Sequence, residues 1–112
     1  MSSLVSESRV IAALNDNLRR FHKGGMVTVS RGIAALDRRV WAEVIVAVAE
    51  FQNFTSDNDP YGEHDCAVVE VDGLRVIWKI DYFDPSMLYH SDDPTDPAKT
   101  RRVMTIMLAE EY

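Results

Sequence analysis

Cys66-Ala67-Val68-Val69-Glu70-Val71-Asp72-Gly73-Leu74-Arg75-Val76-Ile77-Trp78-Lys79-Ile80-Asp81-Tyr82 reads as a β-hairpin. Two runs rich in Val, Ile and aromatic residues flank Asp72-Gly73, the dipeptide suited to a type I′ turn because both of its residues tolerate a positive φ. With a two-residue turn, Val71 faces Leu74, Val69 faces Val76 and Ala67 faces Trp78, an apolar face that belongs against helices. On the reverse, Glu70 pairs with Arg75, Val68 with Ile77, Cys66 with Lys79 and His64 with Asp81. The opposite charges of Glu70 and Arg75 support that register.

Upstream, Val10, Ile11, Leu14, Leu18 and Phe21 recur at helical spacing, which predicts a helix from about Ser3 to Lys23 closed by Gly24-Gly25. Arg19 and Arg20 near its end complement the helix dipole. Met26 to Ser30 reads as a short strand and Arg31-Gly32 as a break. A second helix is predicted over Asp37 to Phe51, with Val40, Trp41, Val44, Ile45 and Val48 toward the core. The Asp/Asn/Gly/Pro-rich run from Asn53 to Gly62 is a loop. Asp96 as N-cap with Pro97 in the first helical position predicts a last helix running almost to Tyr112, with Val103, Ile106 and Met107 inward. The expectation is one α+β domain over residues 1–112, a small and mainly antiparallel sheet packed with about three helices.

Composition sets the outer bounds. Hydrophobic residues at 46% and charged residues at 27% are the mixture of an ordinary globular chain. The single Cys66 excludes an internal disulfide framework and points to a reducing, cytoplasmic setting. No run approaches the ~20 apolar residues of a membrane span, and Met1-Ser2-Ser3-Leu4 lacks the features of a signal peptide. The net charge of −6 is unevenly spread. Residues 1–50 carry seven bases against five acids, whereas Asp57 to Asp96 holds eleven acids against Arg75 and Lys79 alone. Such a segment repels nucleic-acid phosphates and suits a protein partner with a basic surface. A solvated face that keeps the chain soluble, and a site for a divalent cation, are the other readings.

The segment richest in chemistry is Asp57-Asn58-Asp59-Pro60-Tyr61-Gly62-Glu63-His64-Asp65, which the hairpin register brings beside Asp81 and Asp84. An imidazole opposite a carboxylate is the pairing a general base requires, and the same two groups also make a plain structural hydrogen bond. Other motifs fail on inspection. Asp57, Asp59 and Gly62 occupy positions one, three and six of an EF-hand loop, but Tyr61 and Val68 stand where ligands are needed. Asn53-Phe54-Thr55 is a glycosylation sequon without consequence in a reducing compartment. Gly24, Gly25 and Gly32 precede no Gly-Lys-Ser/Thr. Cys66 and His64 stand about 7 Å apart on one strand face, too far for direct proton transfer. His22, His64 and His90 show no zinc spacing. Trp41 and Trp78 are expected in the core, since no bases interleave with them. Arg101 and Arg102 are expected to pair with the acidic loops rather than with phosphate.

Asn15-Asp16 with Arg19 or Arg20, Gly32-Ile33 with Leu36, Phe51 through Asp65, Lys79 through Asp84 and Ser91 through Tyr112 together resemble a bacterial family of uncharacterised proteins, the domain-of-unknown-function family numbered 3768. The resemblance implies small bacterial proteins, many encoded near plasmid or other mobile-element genes. It brings no activity and no catalytic residues to carry over. It implies an aromatic residue after Glu-His-Asp, and Cys66 departs from that pattern.

Two functions follow as expectations. The first is a non-enzymatic acidic interaction protein, an inhibitor of anti-restriction or anti-CRISPR type in the mobile-element setting. In it Asp57, Asp59, Glu63, Asp65, Asp84, Asp92, Asp93 and Asp96 occupy a basic, nucleic-acid-binding surface of a host protein, with no cofactor, nucleic acid or membrane involved. The alternative is a small metal-assisted hydrolase or nuclease with His64 as base, Asp81 orienting it, and Asp59, Glu63 and Asp65 around a divalent ion. A homodimer built on surplus apolar surface is compatible with either.

Overall fold

A computed structural model describes residues 3–112, with side chains from Glu7 onward; Met1-Ser2, part of the opening that reads as lacking a signal peptide, lies outside them. The order is α1 (Ser3–Phe21), β1 (Gly25–Val29), α2 (Arg31–Ala34), α3 (Arg38–Glu50), β2 (Cys66–Val71), β3 (Leu74–Phe83), β4 (Arg101–Leu108) and a closing 3-10 turn, Ala109–Glu111. The strands form one sheet in the order β1-β4-β3-β2, parallel between β1 and β4 and antiparallel elsewhere. Three helices on a mostly antiparallel sheet make the α+β fold the pattern predicts. No described helix is long and apolar enough to cross a membrane.

The hairpin forms in the expected register from Cys66–Lys79 to Val71–Leu74. Its turn is made by Asp72 (φ +52°) and Gly73 (φ +80°), both in the left-handed region that a type I′ turn requires. Ala67, Val71, Val76 and Trp78 are buried on one face, against Leu18, Val44 and Val48 from the helices. The carboxylate of Asp37 caps α3 by accepting from the Val40 N–H at 3.0 Å, and the Ser30 hydroxyl caps α2 from the Ile33 N–H at 3.2 Å.

The last segment is corrected outright. Residues 101–108 are not helix but the strand β4, inserted between β1 and β3. Asp96 does cap a backbone N–H, that of Ala98 at 2.9 Å, but the result is only a turn. Val103, Ile106 and Met107 satisfy a helical spacing, while Arg102, Met104 and Ile106 alternate toward the helices with Val103 and Met107 buried on the other face. An interior strand that buries apolar side chains on both faces shows no clean alternation to announce its period. Smaller corrections concern three side chains. Val10 and Phe21 of α1 and Trp41 of α3 lie on the surface. The buried stripe of α1 runs instead through Ile11, Asn15, Leu18 and Arg19. The left-handed residue that ends α1 is His22 (φ +56°), whose N–H reaches the Leu18 carbonyl at 2.9 Å. Gly25 serves a different need, because a Cβ there would stand 2.5 Å from the Arg102 carbonyl oxygen of the adjoining strand.

Topology then places the loops. β1, β2 and β4 begin, and β3 ends, at the same end of the sheet. The irregular segments 51–65 and 84–100 therefore emerge together, opposite the hairpin turn.

Candidate functional site

The polar residues on the inner stripe of α1 reach this loop end. Asn15 is 0% exposed and Arg19 and Arg102 are each 3% exposed, so every polar atom among them needs a partner. The Asn15 amide donates to the Glu63 carbonyl (2.9 Å) and the Tyr82 hydroxyl (2.8 Å), and its Oδ1 accepts from Arg102 Nε (2.9 Å). The Tyr82 hydroxyl donates onward to Glu63 Oε1 at 2.8 Å. Burial pushes the Tyr82 phenol well above its ordinary value; the Asn15 hydrogen bond opposes this and the bond to Glu63 adds to it. Arg102 lies over the Tyr82 ring at 5.2 Å and donates to the Pro94 carbonyl, tying the second loop to the first. It meets the acidic loop through a backbone carbonyl and not through a carboxylate.

Arg19 does the corresponding work for α3. Its guanidinium donates to the carbonyls of Val48 (2.9 Å), Ala49 (3.0 Å) and Phe51 (2.8 Å), the orphan acceptors at the end of that helix. The dipole it complements is thus that of α3 as well as its own helix. The same group packs over the rings of Phe54 and Trp78 and pairs with Asp16 Oδ1 at 2.9 Å.

Asp16 also holds His64, whose Nδ1 lies 3.0 and 3.1 Å from its two carboxylate oxygens. The imidazole stacks on Phe54 with centroids 4.0 Å apart and planes 3° from parallel, and Nε2 stands 3.7 Å from Asp59 Oδ2. The expected partner, Asp81, instead accepts from Lys79 Nζ at 2.7 Å. The ladder explains the correction. It continues past Cys66 only as far as the Asp65 carbonyl, 2.7 Å from the Ile80 N–H, and the chain then turns through His64 (φ +55°) toward α1. Asp59 fixes that turn, its Oδ1 accepting from the N–H groups of Glu63 (3.1 Å) and His64 (3.2 Å).

The carboxylates named from the sequence divide accordingly. Asp59 is buried and spent on its own loop, and half-buried Glu63 on Tyr82. Asp65 is half-buried, and burial pushes its carboxyl up, with Glu63, Asp59 and Asp81 adding to the shift. Asp84 caps its turn by accepting from Ser86, Leu88 and Tyr89, which holds its carboxyl below the ordinary range. Asp93 does the same with Thr95. Asp96 accepts from the Ala98 N–H. Asp57 and Asp92 are exposed. Between them, buried Ser91 and Thr100 close the second loop through hydroxyls 2.7 Å apart.

Among the described residues no group of three or more His, Cys, Asp or Glu side chains is arranged to hold a metal ion. Burial, with Asp65 and Asp59, pushes the Cys66 thiol up, away from the thiolate a nucleophile needs. The imidazole has its orienting carboxylate, but its second nitrogen faces Asp59. The arrangement is one of loop fixation, and what it leaves on the surface is charge and apolar side chains: Tyr61 (79% exposed), Leu88 (73%) and Tyr89 (71%) stand on the same two loops.

Asn15, Asp16, Arg19, Phe54 and Arg102 carry this site; sequence reasoning assigns Arg19 only to its own helix dipole and Arg102 only to the acidic loops, and gives Asn15, Asp16 and Phe54 no role in a site. One signal was present, since Asn15 and Arg19 fall on the stripe defined by Ile11 and Leu18, where a polar residue needs a reason. A family model described as a protein of unknown function (DUF3768) matches residues 29–111, which leaves all of α1, with Asn15, Asp16 and Arg19, outside the matched stretch. No curated protein and no solved structure matches the chain.

Proposed function

This chain belongs to the DUF3768 family of proteins of unknown function, and we propose for it a non-enzymatic role as an acidic interaction protein that docks on a basic, nucleic-acid-binding surface of another protein. One observation carries the reading: both acid-rich loops leave the same end of the sheet. Segments 51–65 and 84–100 hold Asp57, Asp59, Glu63, Asp65, Asp84, Asp92, Asp93 and Asp96 against Lys99 alone, with only Asp59 buried. The excess of acids over bases on these loops accelerates encounter with a basic groove and disfavours nucleic acid. Exposed Tyr61, Leu88 and Tyr89 on these loops supply the apolar anchors that charge alone does not provide at an interface. The occupied groove would be closed to phosphate, so the protein acts as an inhibitor. The mobile-element setting implied by the resemblance points to restriction or CRISPR-type enzymes as the target class.

The test is capture of partners from a bacterial lysate on the tagged protein at low and high salt, with mass spectrometry, followed by competition with DNA. The expected result is a stoichiometric nucleic-acid-handling protein that high salt releases and DNA displaces. A partner held equally at both salts, or equally well by an Asp57→Asn/Asp92→Asn variant, overturns the reading.

A further inference from the structure

The sheet ends at β2, and the backbone of that edge is unused. In a hairpin closed by a two-residue turn, Val71, Val69 and Ala67 exchange hydrogen bonds with Leu74, Val76 and Trp78, and the Asp65 carbonyl continues the ladder to Ile80. The N–H and C=O groups of Cys66, Val68 and Glu70 therefore point away from β3, and no hydrogen bond among the described residues reaches them from another element. Edges of soluble proteins are ordinarily guarded by Lys, Pro, a bulge or an inward charge. β2 pairs with β3 residue for residue, contains no Lys or Pro, and carries one charge, Glu70, on the outer face opposite Arg75.

We propose that a second copy of this chain pairs with β2 in antiparallel fashion about a two-fold axis through Val68. The spacing of the free groups admits this occupant and fixes its register. Residues 66, 68 and 70 are symmetric about 68, so a two-fold copy sets each outward N–H against an outward C=O. Val68 then faces Val68 of the second copy, and Cys66 faces its Glu70 on either side. A shift of one residue would oppose outward groups to inward ones and put the second helix layer on the wrong face. Side chains agree with this register. Val68 (43% exposed), Ile77 and Met107 form an apolar row across the face that the helices leave open, and the axis continues that row into the second copy.

Charge permits the same arrangement. β2 starts at the acidic loop end, so antiparallel pairing points the two acidic ends in opposite directions. Each Glu70 lies beside a Cys66 and about 13 Å along the strand from the other Glu70. The inference stands apart from the proposed function, because it concerns the strand edge and not the loops.

Sedimentation equilibrium of the whole protein tests it. Wild type is expected to be a dimer, and Val68→Pro a folded monomer by circular dichroism. The Val68 N–H faces outward, so proline there removes no bond of the monomer. Val68→Lys should act likewise, each raising the dissociation constant more than about tenfold, and it decides the matter if the proline variant does not fold. Register is read by oxidation. Cys66→Ser/Val68→Cys should form a covalent dimer, and Cys66→Ser/Glu70→Cys should not. A monomeric wild type, including one whose edge accepts a strand from some other protein, overturns the proposal. So does a dimer indifferent to both Val68 variants, or a disulfide that prefers position 70.

Discussion

The two ends of the sheet are closed by different means. At the hairpin end, Asp72-Gly73 reverses the chain in two residues, and nearby Glu111 fastens the 3-10 turn by accepting from Ser30 Oγ (2.6 Å), the Gly32 N–H (3.0 Å) and the Leu108 N–H (2.8 Å). At the loop end, segments 51–65 and 84–100 are held by groups imported from far along the chain: Asn15 and Asp16 from α1, Tyr82 from β3, Arg102 from β4. A tight turn is specified by its own residues. A long loop without regular structure must be given hydrogen-bond partners, and here the partners are buried and shared. The loop end should therefore fail as a unit, and the hairpin end one residue at a time.

The largest effect is expected from Arg102→Ala. It strands Asn15 Oδ1 and the Pro94 carbonyl and removes packing from Tyr82, which should cost roughly 3 kcal/mol by denaturant titration. Hydrogen exchange should quicken in both 51–65 and 84–100. Faster exchange in one loop alone would show that the two are independent and break the comparison.

Tyr82→Phe comes next, at about 1.5 kcal/mol near neutral pH, from the lost hydroxyl between Asn15 and Glu63. Its pH dependence sharpens the point. The folded phenol is held protonated well above its ordinary value, whereas in the unfolded chain it ionises near about pH 10. The unfolded state thus loses its proton first, and wild-type stability falls as pH rises past that point. Phenylalanine lacks this term, so the gap between the two melting temperatures should narrow between about pH 8 and 11. A constant gap would mean that the hydroxyl is not buried as described.

At the other end, Gly73→Ala should cost about 1 kcal/mol, because Gly73 sits at φ +80° with nothing near its missing Cβ. Exchange should quicken at the turn only. A loss that spread to the loop end would erase the distinction between the two.

The same difference explains what could be read from the sequence. Asp72-Gly73 and the alternation on either side are local facts, so every pair from Cys66–Lys79 to Val71–Leu74 followed from them. β4 was illegible for the opposite reason. Its eight residues are flanked by sheet on both sides and bury apolar side chains on both faces, so their apolar spacing fits either period, and Asp96-Pro97 tips the reading toward a helix. In the site, Asp59, Glu63 and His64 were found together because they are neighbours in sequence. Asp16 joins them only through the docking of α1, and the left-handed turn at His64 that points the imidazole at it leaves no mark in composition.

The smallest effect on stability is expected where the effect on function should be greatest. Asp57 and Asp92 are exposed, on the two loops that the buried network fixes. Asp57→Asn/Asp92→Asn should change stability by no more than about 0.5 kcal/mol, since no buried bond is lost. The double variant nevertheless takes two charges from the acidic end, so association with a basic partner should slow and become less sensitive to salt. Measured beside Arg102→Ala, it separates the two kinds of polar residue at this end. Arg102→Ala should weaken association only as far as the loops lose their order, with the salt dependence kept. If the two variants altered the salt dependence equally, the inward and outward groups would be one electrostatic unit, and the division between residues that build the loops and residues that meet the partner would fall.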